Sequence, residues 1–267
     1  MSLNLTPLPG IPLIHPGDDL VAIILKSLDQ ANLNLQNGDI LVLAQKIVSK
    51  AEGRIINLTK VTPSPEAIKL ATITEKDPRL LELVLRESKI VMRVRPGVVI
   101  VEHRLGFVCA NAGIDHSNVG WGGDKNIAKI EGLRKEPPDE WVLLLPENPD
   151  ASAQTIRYHL EQALEVHLGV MIIDSHGRAW RLGAVGVAIG LAGLPGLVDL
   201  RGQSDLFGYK LRVTQVAVAD ELAAAASLVM GQAAENTPVV HVRGFPYKLR
   251  EASLRELLRP KELDMFR

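Results

Sequence analysis

The chain of 267 residues carries 30 Lys and Arg against 31 Asp and Glu, a formal net charge of −1, and a single cysteine, Cys109. So even a balance excludes a global field for gripping nucleic acid or an anionic membrane, and any phosphate contact must be a local constellation. One cysteine excludes an internal disulfide framework and fits a reducing compartment, while the length allows one large domain or two smaller ones.

Residues 3–12 read as a short strand running into Pro9-Gly10-Ile11-Pro12, whose prolines fix an extended or turning loop. Asp18 and Asp19 precede an apolar-periodic stretch and complement a helix dipole, which predicts a helix over residues 20–30. The run Ile40-Leu41-Val42-Leu43-Ala44 reads as a buried strand, and Lys46 and Lys50 follow just past its end; such lysines are more often solvated than functional, but strand ends in α/β arrangements are also where anionic ligands collect. Ser64-Pro65 and Asp77-Pro78 each open a helix within residues 64–88. Pro96-Gly97 divides a hairpin, residues 89–95 with 98–103.

Residues 120–141 read as a long loop, functional or poorly ordered. Residues 143–145 give a short strand, and Pro149 starts a long amphipathic helix through Leu164. The run Gly169-Val170-Met171-Ile172-Ile173 reads as a buried strand that stops at Asp174-Ser175-His176-Gly177-Arg178. The glycine-spaced region after it suits close strand or dimer packing. Residues 210–217 alternate as a strand, Asp220-Glu221 open an alanine-rich helix that stops at Gly231, and residues 239–244 supply a last strand. No apolar run reaches membrane-spanning length and residues 1–13 lack the features of a signal peptide, so a soluble cytoplasmic protein is expected.

Two segments carry chemistry. An acid directly after an apolar strand faces a desolvation cost that a cation, an arginine or several N–H donors can offset, which makes Asp174 a candidate ligand for a hard cation. Asp-Ser and Asp-Gly are also ordinary turn formers, so the segment alone leaves both readings open. A second segment, Asn111-Ala112-Gly113-Ile114-Asp115-His116-Ser117-Asn118, is rich in small residues and oxygen donors; two acids meeting in space would call for a divalent ion between them. His116 and His176 read as bystanders, with an acid–base role beside Asp115 the alternative for His116, and Cys109, among small apolar neighbours, reads as a buried hydrophobe. A Walker loop, a G-x-G-x-x-G turn, H-E-x-x-H and G-x-S-x-G are all absent from the sequence, so any nucleotide must be held another way.

Those two segments, together with Ser49-Lys50-Ala51-Glu52-Gly53-Arg54, Ala219-Asp220-Glu221 and Val242-Arg243-Gly244, resemble the coenzyme F420-0:L-glutamate ligase family, in family order and over nearly the whole chain. The resemblance implies an α+β fold of mixed sheets with flanking helices, forming an intertwined homodimer. It implies a ligase domain over residues 1–247, divisible into two subdomains, and a tail or linker over 248–267. In some two-domain relatives a flavin domain follows such a tail.

The implied reaction is GTP-dependent amide formation: the terminal carboxylate of coenzyme F420-0 is phosphorylated, and the amine of L-glutamate displaces phosphate. The implied cofactors are two Mg2+ or Mn2+ ions, with K+ as a further cation. Asp115 and Asp174 would hold one metal, Ser175 and Gln232 the second. Pro9, Gly10, Ile11, Pro12, Gln45, Lys46, Lys50, Asn118 and the turn Met230, Gly231, Gln232, Ala233, Ala234, Glu235, Asn236 and Thr237 fall where the family binds guanine nucleotide. Nucleic acid and membranes are not expected partners. Gln232 stands where some relatives have Glu, which removes a charge from the second metal position, and Gln45 and Lys46 replace smaller hydroxylated residues. Two rival classes share these residues: a metal-dependent nucleotide or phosphate-ester hydrolase, and a non-catalytic nucleotide-binding module.

Overall fold

The computed structural model describes residues 2–119 and 140–265. The loop read over residues 120–141 therefore lies outside the described residues, apart from Glu140 and Trp141. In chain order the elements are β1 (Asn4–Pro7), α1 (Leu20–Gln30), β2 (Ile40–Ala44), α2 (Gln45–Ala51), β3 (Ile55–Asn57), α3 (Pro65–Thr74), α4 (Pro78–Arg86), β4 (Ser88–Arg95), β5 (Val98–His103), β6 (Val108–Ala110), β7 (Trp141–Leu143), α5 (Pro149–Leu164), β8 (Gly169–Arg178), β9 (Arg181–Ala192), β10 (Val198–Asp199), β11 (Gln215–Val216), α6 (Val218–Met230) and β12 (Val239–Arg243). Helices beside mixed sheets make the class α+β, as expected from the sequence. The chain divides into two compact units, the first Met1–Val48 with Glu147–Asp264, the second Ser49–Pro146.

The first unit is built on a five-stranded sheet of order β1-β12-β2-β8-β9, in which β2 and β8 run parallel and every other pair antiparallel. All of β2 except its last residue, and the first five residues of β8, are buried, as unbroken apolar runs require of central strands. Ile40, Val42, Met171 and Ile173 pack with Leu222, Ala223 and Ala226 of α6. An irregularity in the β8–β9 register between Ile172 and Ile173 inserts an extra residue into β9. Such a bulge inverts the in-out alternation. Ala188 and Leu191 therefore both join the α6 side of the core, whereas a side chain at Gly190 would meet Pro149 of α5 at 2.5 Å.

The helix starts follow local chemistry. Asp19 Oδ1 accepts from the N–H groups of Val21 and Ala22, Ser64 Oγ from Ala67 and Asn148 Oδ1 from Ala151, with proline in the first turn of α3, α4 and α5. Asp18 serves a different end, accepting from His15 N at 2.7 Å.

The second unit packs α3 and α4 with the antiparallel sheet β4-β5-β6 around Leu81, Val84, Val99 and Val101, with β3 and β7 paired beside them. Cys109, buried on β6 within that core, is the small hydrophobe its neighbours suggest.

Four local readings change. The strand read as ending at Ile173 continues through Asp174 to Arg178, because β9 supplies partners for every residue from Asp174 to Gly177. Of residues 210–217 only Gln215–Val216 forms a strand, paired with β10, while Lys210 makes one isolated bridge to Ser204. The strand expected at 143–145 is β7, which starts at Trp141. The segment read as a tail or linker is docked: Asp150 accepts from Leu254 N, Glu256 from the N–H groups of Gly196 and Leu197, and Leu254 is buried.

Candidate functional site

In an open sheet, ligands collect beyond the carboxyl ends of parallel strands. The β2–β8 register aligns Ala44 with Ile173, so the residues that follow, Gln45 and Asp174, leave the same edge together. Antiparallel β12 begins at this edge, since Val239 pairs with Leu43, and β1 ends there, since Pro7 pairs with Val240. Topology thus brings four segments of the first unit to one edge: residues 8–12, residues 45 and 46, residues 174–176 and residues 231–238.

Hydrogen bonds knit these segments. Leu8 N donates to Val239 O at 2.9 Å and Ala44 N to Pro238 O at 2.8 Å. Asn236 Nδ2 donates to Ile11 O at 3.2 Å, Ser27 Oγ to Pro9 O and Thr237 Oγ1 to Met230 O. Gly10 adopts φ +72°, a left-handed conformation that favours glycine, and a Cβ there would have to displace the end of the Gln30 side chain. Gly231 ends α6 at φ +74°, with Glu235 folded back against it. Glu235 accepts from Ala233 N, and such backbone donors hold its carboxyl below the usual carboxylate range. Gln45 is buried and Lys46 half-buried at the start of α2.

Because β8 continues as a strand, successive side chains face opposite ways. Ser175 shares its face with Met171 and Ile173, which pack against α6. Its Oγ donates to Gln232 Oε1 at 3.0 Å, and Gln232 Nε2 donates to Ser227 Oγ at 2.9 Å. The pair Ser175 and Gln232 is thus brought together, with the amide oriented so that its oxygen faces the serine. Asp174 and His176 share the other face, with His176 Nε2 3.0 Å from Asp174 Oδ2. At the start of α6, Asp220 Oδ1 accepts from Ala188 N beside the β9 bulge. Burial raises the Asp220 carboxyl above its usual value, against the lowering effects of Ala188 N–H and the charge of His176. Arg178 braces the hairpin tip, donating to Leu182 O at 3.1 Å.

The remaining candidates lie in the second unit. The Asp115 backbone forms a bridge to Leu143, with N–H···O distances of 3.0 and 2.9 Å in the two directions. Asn111, Ala112 and Asn118 adopt left-handed backbone, and a Cβ on Gly113 would meet Leu145 at 2.7 Å, so small residues are needed to turn this segment. Asn111 Oδ1 accepts from Val99 N. Lys50 Nζ donates to Asn118 O at 2.7 Å, which brings together two residues read as nucleotide contacts. His116 is exposed.

Carboxylate, hydroxyl and amide oxygens are the donors a hard divalent cation takes. Among the described residues no group of three or more His, Cys, Asp and Glu side chains gathers as a cage. Nothing in the sequence pointed to the contact from Ser227 to Gln232 or to that from His176 to Asp174.

Comparison with known proteins bears on the chemistry of this edge. Residues 10–244 match the family model described as F420-0:Gamma-glutamyl ligase. Similar proteins named coenzyme F420:L-glutamate ligase include one from Methanothermobacter thermautotrophicus, 48% identical over 269 residues and covering 100% of both chains. Another, from Methanopyrus kandleri, is 43% identical over 100% of this chain and 98% of its own. A third, from Methanocaldococcus jannaschii, is 42% identical over 91% and 93%. With a match that spans the sheet edge and both units, the chain belongs to the F420-0:gamma-glutamyl ligase family.

Proposed function

We propose that the protein joins L-glutamate to coenzyme F420-0 in an amide bond, using GTP and divalent metal. The observation that carries this reading is the gathering of residues 8–12, 45 and 46, 174–176 and 231–238 at the carboxyl edge of β2 and β8, in a chain of a ligase family. The names of the relatives supply the two substrates joined; the nucleotide and the metal come from the resemblance and from the donor chemistry of the edge.

In the proposed sequence an oxygen of the F420-0 carboxylate attacks the γ-phosphorus of GTP, the bond from that phosphorus to the β-phosphate oxygen breaks, and GDP leaves. The amine nitrogen of glutamate then attacks the carbonyl carbon of the acyl phosphate, phosphate departs with the bridging oxygen, and the nitrogen loses its proton. Two Mg2+ or Mn2+ ions, when bound, neutralise charge on the phosphate oxygens. Asp174, Ser175 and Gln232 would hold metal at the sheet edge, and Asp115 keeps its expected role as a ligand. Lys46 and Lys50 are suited to phosphate oxygens, and the loop of residues 9–12 and the turn of residues 230–237 to the nucleoside. K+ is retained as a further cation.

The test is an incubation with coenzyme F420-0, L-glutamate, GTP and MnCl2, with product mass and phosphate followed together. A glutamylated product formed with one GDP and one phosphate per amide is expected. Phosphate release that continues without glutamate and yields no amide would replace the ligase with a hydrolase; guanine nucleotide binding without turnover would leave a binding module.

A further inference from the structure

We infer that His176 is a positioning residue, holding one oxygen of the Asp174 carboxylate so that the other is left for a cation. The inference rests on the proposed metal role of Asp174 and adds a residue to it. His176 Nε2 lies 3.0 Å from Asp174 Oδ2, within hydrogen-bond reach. Both side chains are largely withdrawn from solvent, at 12% and 10% exposure. The pair exists because the strand continues: residues two apart on β8 share a face, and the β9 partners Val187 and Val185 keep this stretch extended.

An unrestrained carboxylate rotates about its last side-chain torsion and loses that freedom on binding an ion. A carboxylate already held at one oxygen has less to lose, and outer partners of this kind are worth a large share of metal affinity. Asp220, in the first turn of α6, also interacts electrostatically with His176. With Nε2 carrying the proton, the imidazole donates to Asp174 Oδ2, which is the tautomer the proposal requires. On the opposite face the Ser227–Gln232–Ser175 chain fixes the amide oxygen in the same manner.

The test compares His176→Gln, whose amide nitrogen stands about where Nε2 does, with His176→Asn, which is too short to reach Oδ2. The probe is Mn2+, its dissociation constant read from the electron paramagnetic resonance of the free ion with GDP present. Asp174→Asn is measured alongside. His176→Asn is expected to weaken Mn2+ binding about 10- to 100-fold, and His176→Gln to recover most of that loss. In turnover, His176→Asn is expected to raise the Mn2+ concentration needed for half-maximal rate while kcat at saturating Mn2+ stays near wild type.

Wild-type Mn2+ affinity in His176→Asn, or equal losses in the Asn and Gln variants, would overturn the positioning role while a loss in Asp174→Asn left the metal role of Asp174 standing. Wild-type affinity in Asp174→Asn would instead overturn the metal reading on which the inference rests.

Discussion

Asp39 and Asp174 stand at opposite ends of the parallel pair β2 and β8, and opposite demands hold them. Asp39, just before β2, is buried with Arg243 Nε at 2.9 Å from Oδ1, Arg243 Nη2 at 2.6 Å and His241 Nε2 at 2.9 Å from Oδ2, and Gln36 N–H also donating to it. Burial works to raise its carboxyl, but the hydrogen bonds from Arg243, His241 and Gln36 outweigh burial and hold it below the usual value. A depressed folded value means stabilisation that is present above the unfolded value near 3.8 and lost as pH falls through the lower folded one. Asp39→Asn should therefore cost about 2 kcal/mol at neutral pH. The gap from wild type should shrink at pH values below about 4, as urea denaturation across pH would show. Asp174, with one oxygen held by His176 and the other left for the proposed cation, should behave in the reverse way: Asp174→Ala should lower kcat/KM on the order of 100-fold or more while the thermal midpoint in metal-free buffer hardly moves. Unchanged turnover would remove it from the site.

At the scale of elements, the α6–β9 contact ties the core to the site. Gly186 pairs with Ser175 across the ladder, and a Cβ there would fall 2.6 Å from both Ala223 O and Ser227 Cβ. Gly186→Ala should push α6 away from β9, cost about 2 kcal/mol of stability and loosen the Ser227–Gln232–Ser175 chain; calorimetry together with Mn2+ titration would detect both effects. The helices were legible from sequence because their signals are local: Asp19, Ser64 and Asp77 each cap the turn that follows, and Gly231 ends α6. The length of β8 was not legible, because nothing within Asp174-Ser175-His176-Gly177-Arg178 decides between a turn and a strand. The deciding partner is the glycine- and alanine-rich β9, whose own pattern is broken by the bulge. Residues 210–217 misled in the opposite sense: their alternation was genuine, but most of it has no strand alongside.

For the whole molecule, the family was readable because short segments such as Asp174-Ser175-His176-Gly177-Arg178 carry it, while the way four segments reach one sheet edge depends on strand order, which no local pattern encodes. Among the described residues no helix is long and apolar enough to cross a membrane. The first unit nevertheless exposes Trp180 at 91% with φ +63°, Leu182 at 97%, Leu206 at 99%, Phe207 at 94% and Val213 at 85%. Large apolar side chains so exposed favour association, and we read them as supporting the homodimer that the family resemblance implies. Light scattering should give twice 29.1 kDa, and Trp180→Glu with Phe207→Glu should give the single mass; a wild-type monomer at micromolar concentration would refute the dimer.

The straight run of β8 through Asp174 also governs how this protein can vary in descent. Replacing a residue at 174, 175 or 176 changes one chemical group and leaves the others where they were. Losing or gaining a single residue between Gly169 and Ile173 would exchange the faces of Asp174 and Ser175 at a stroke, presenting hydroxyl where carboxylate was needed. The two-residue turn at Ala179 and Trp180, beyond the last paired positions Arg178 and Arg181, is under no such constraint. Insertions and deletions among descendants of this chain should therefore be purged from the first half of the hairpin and accumulate at its tip.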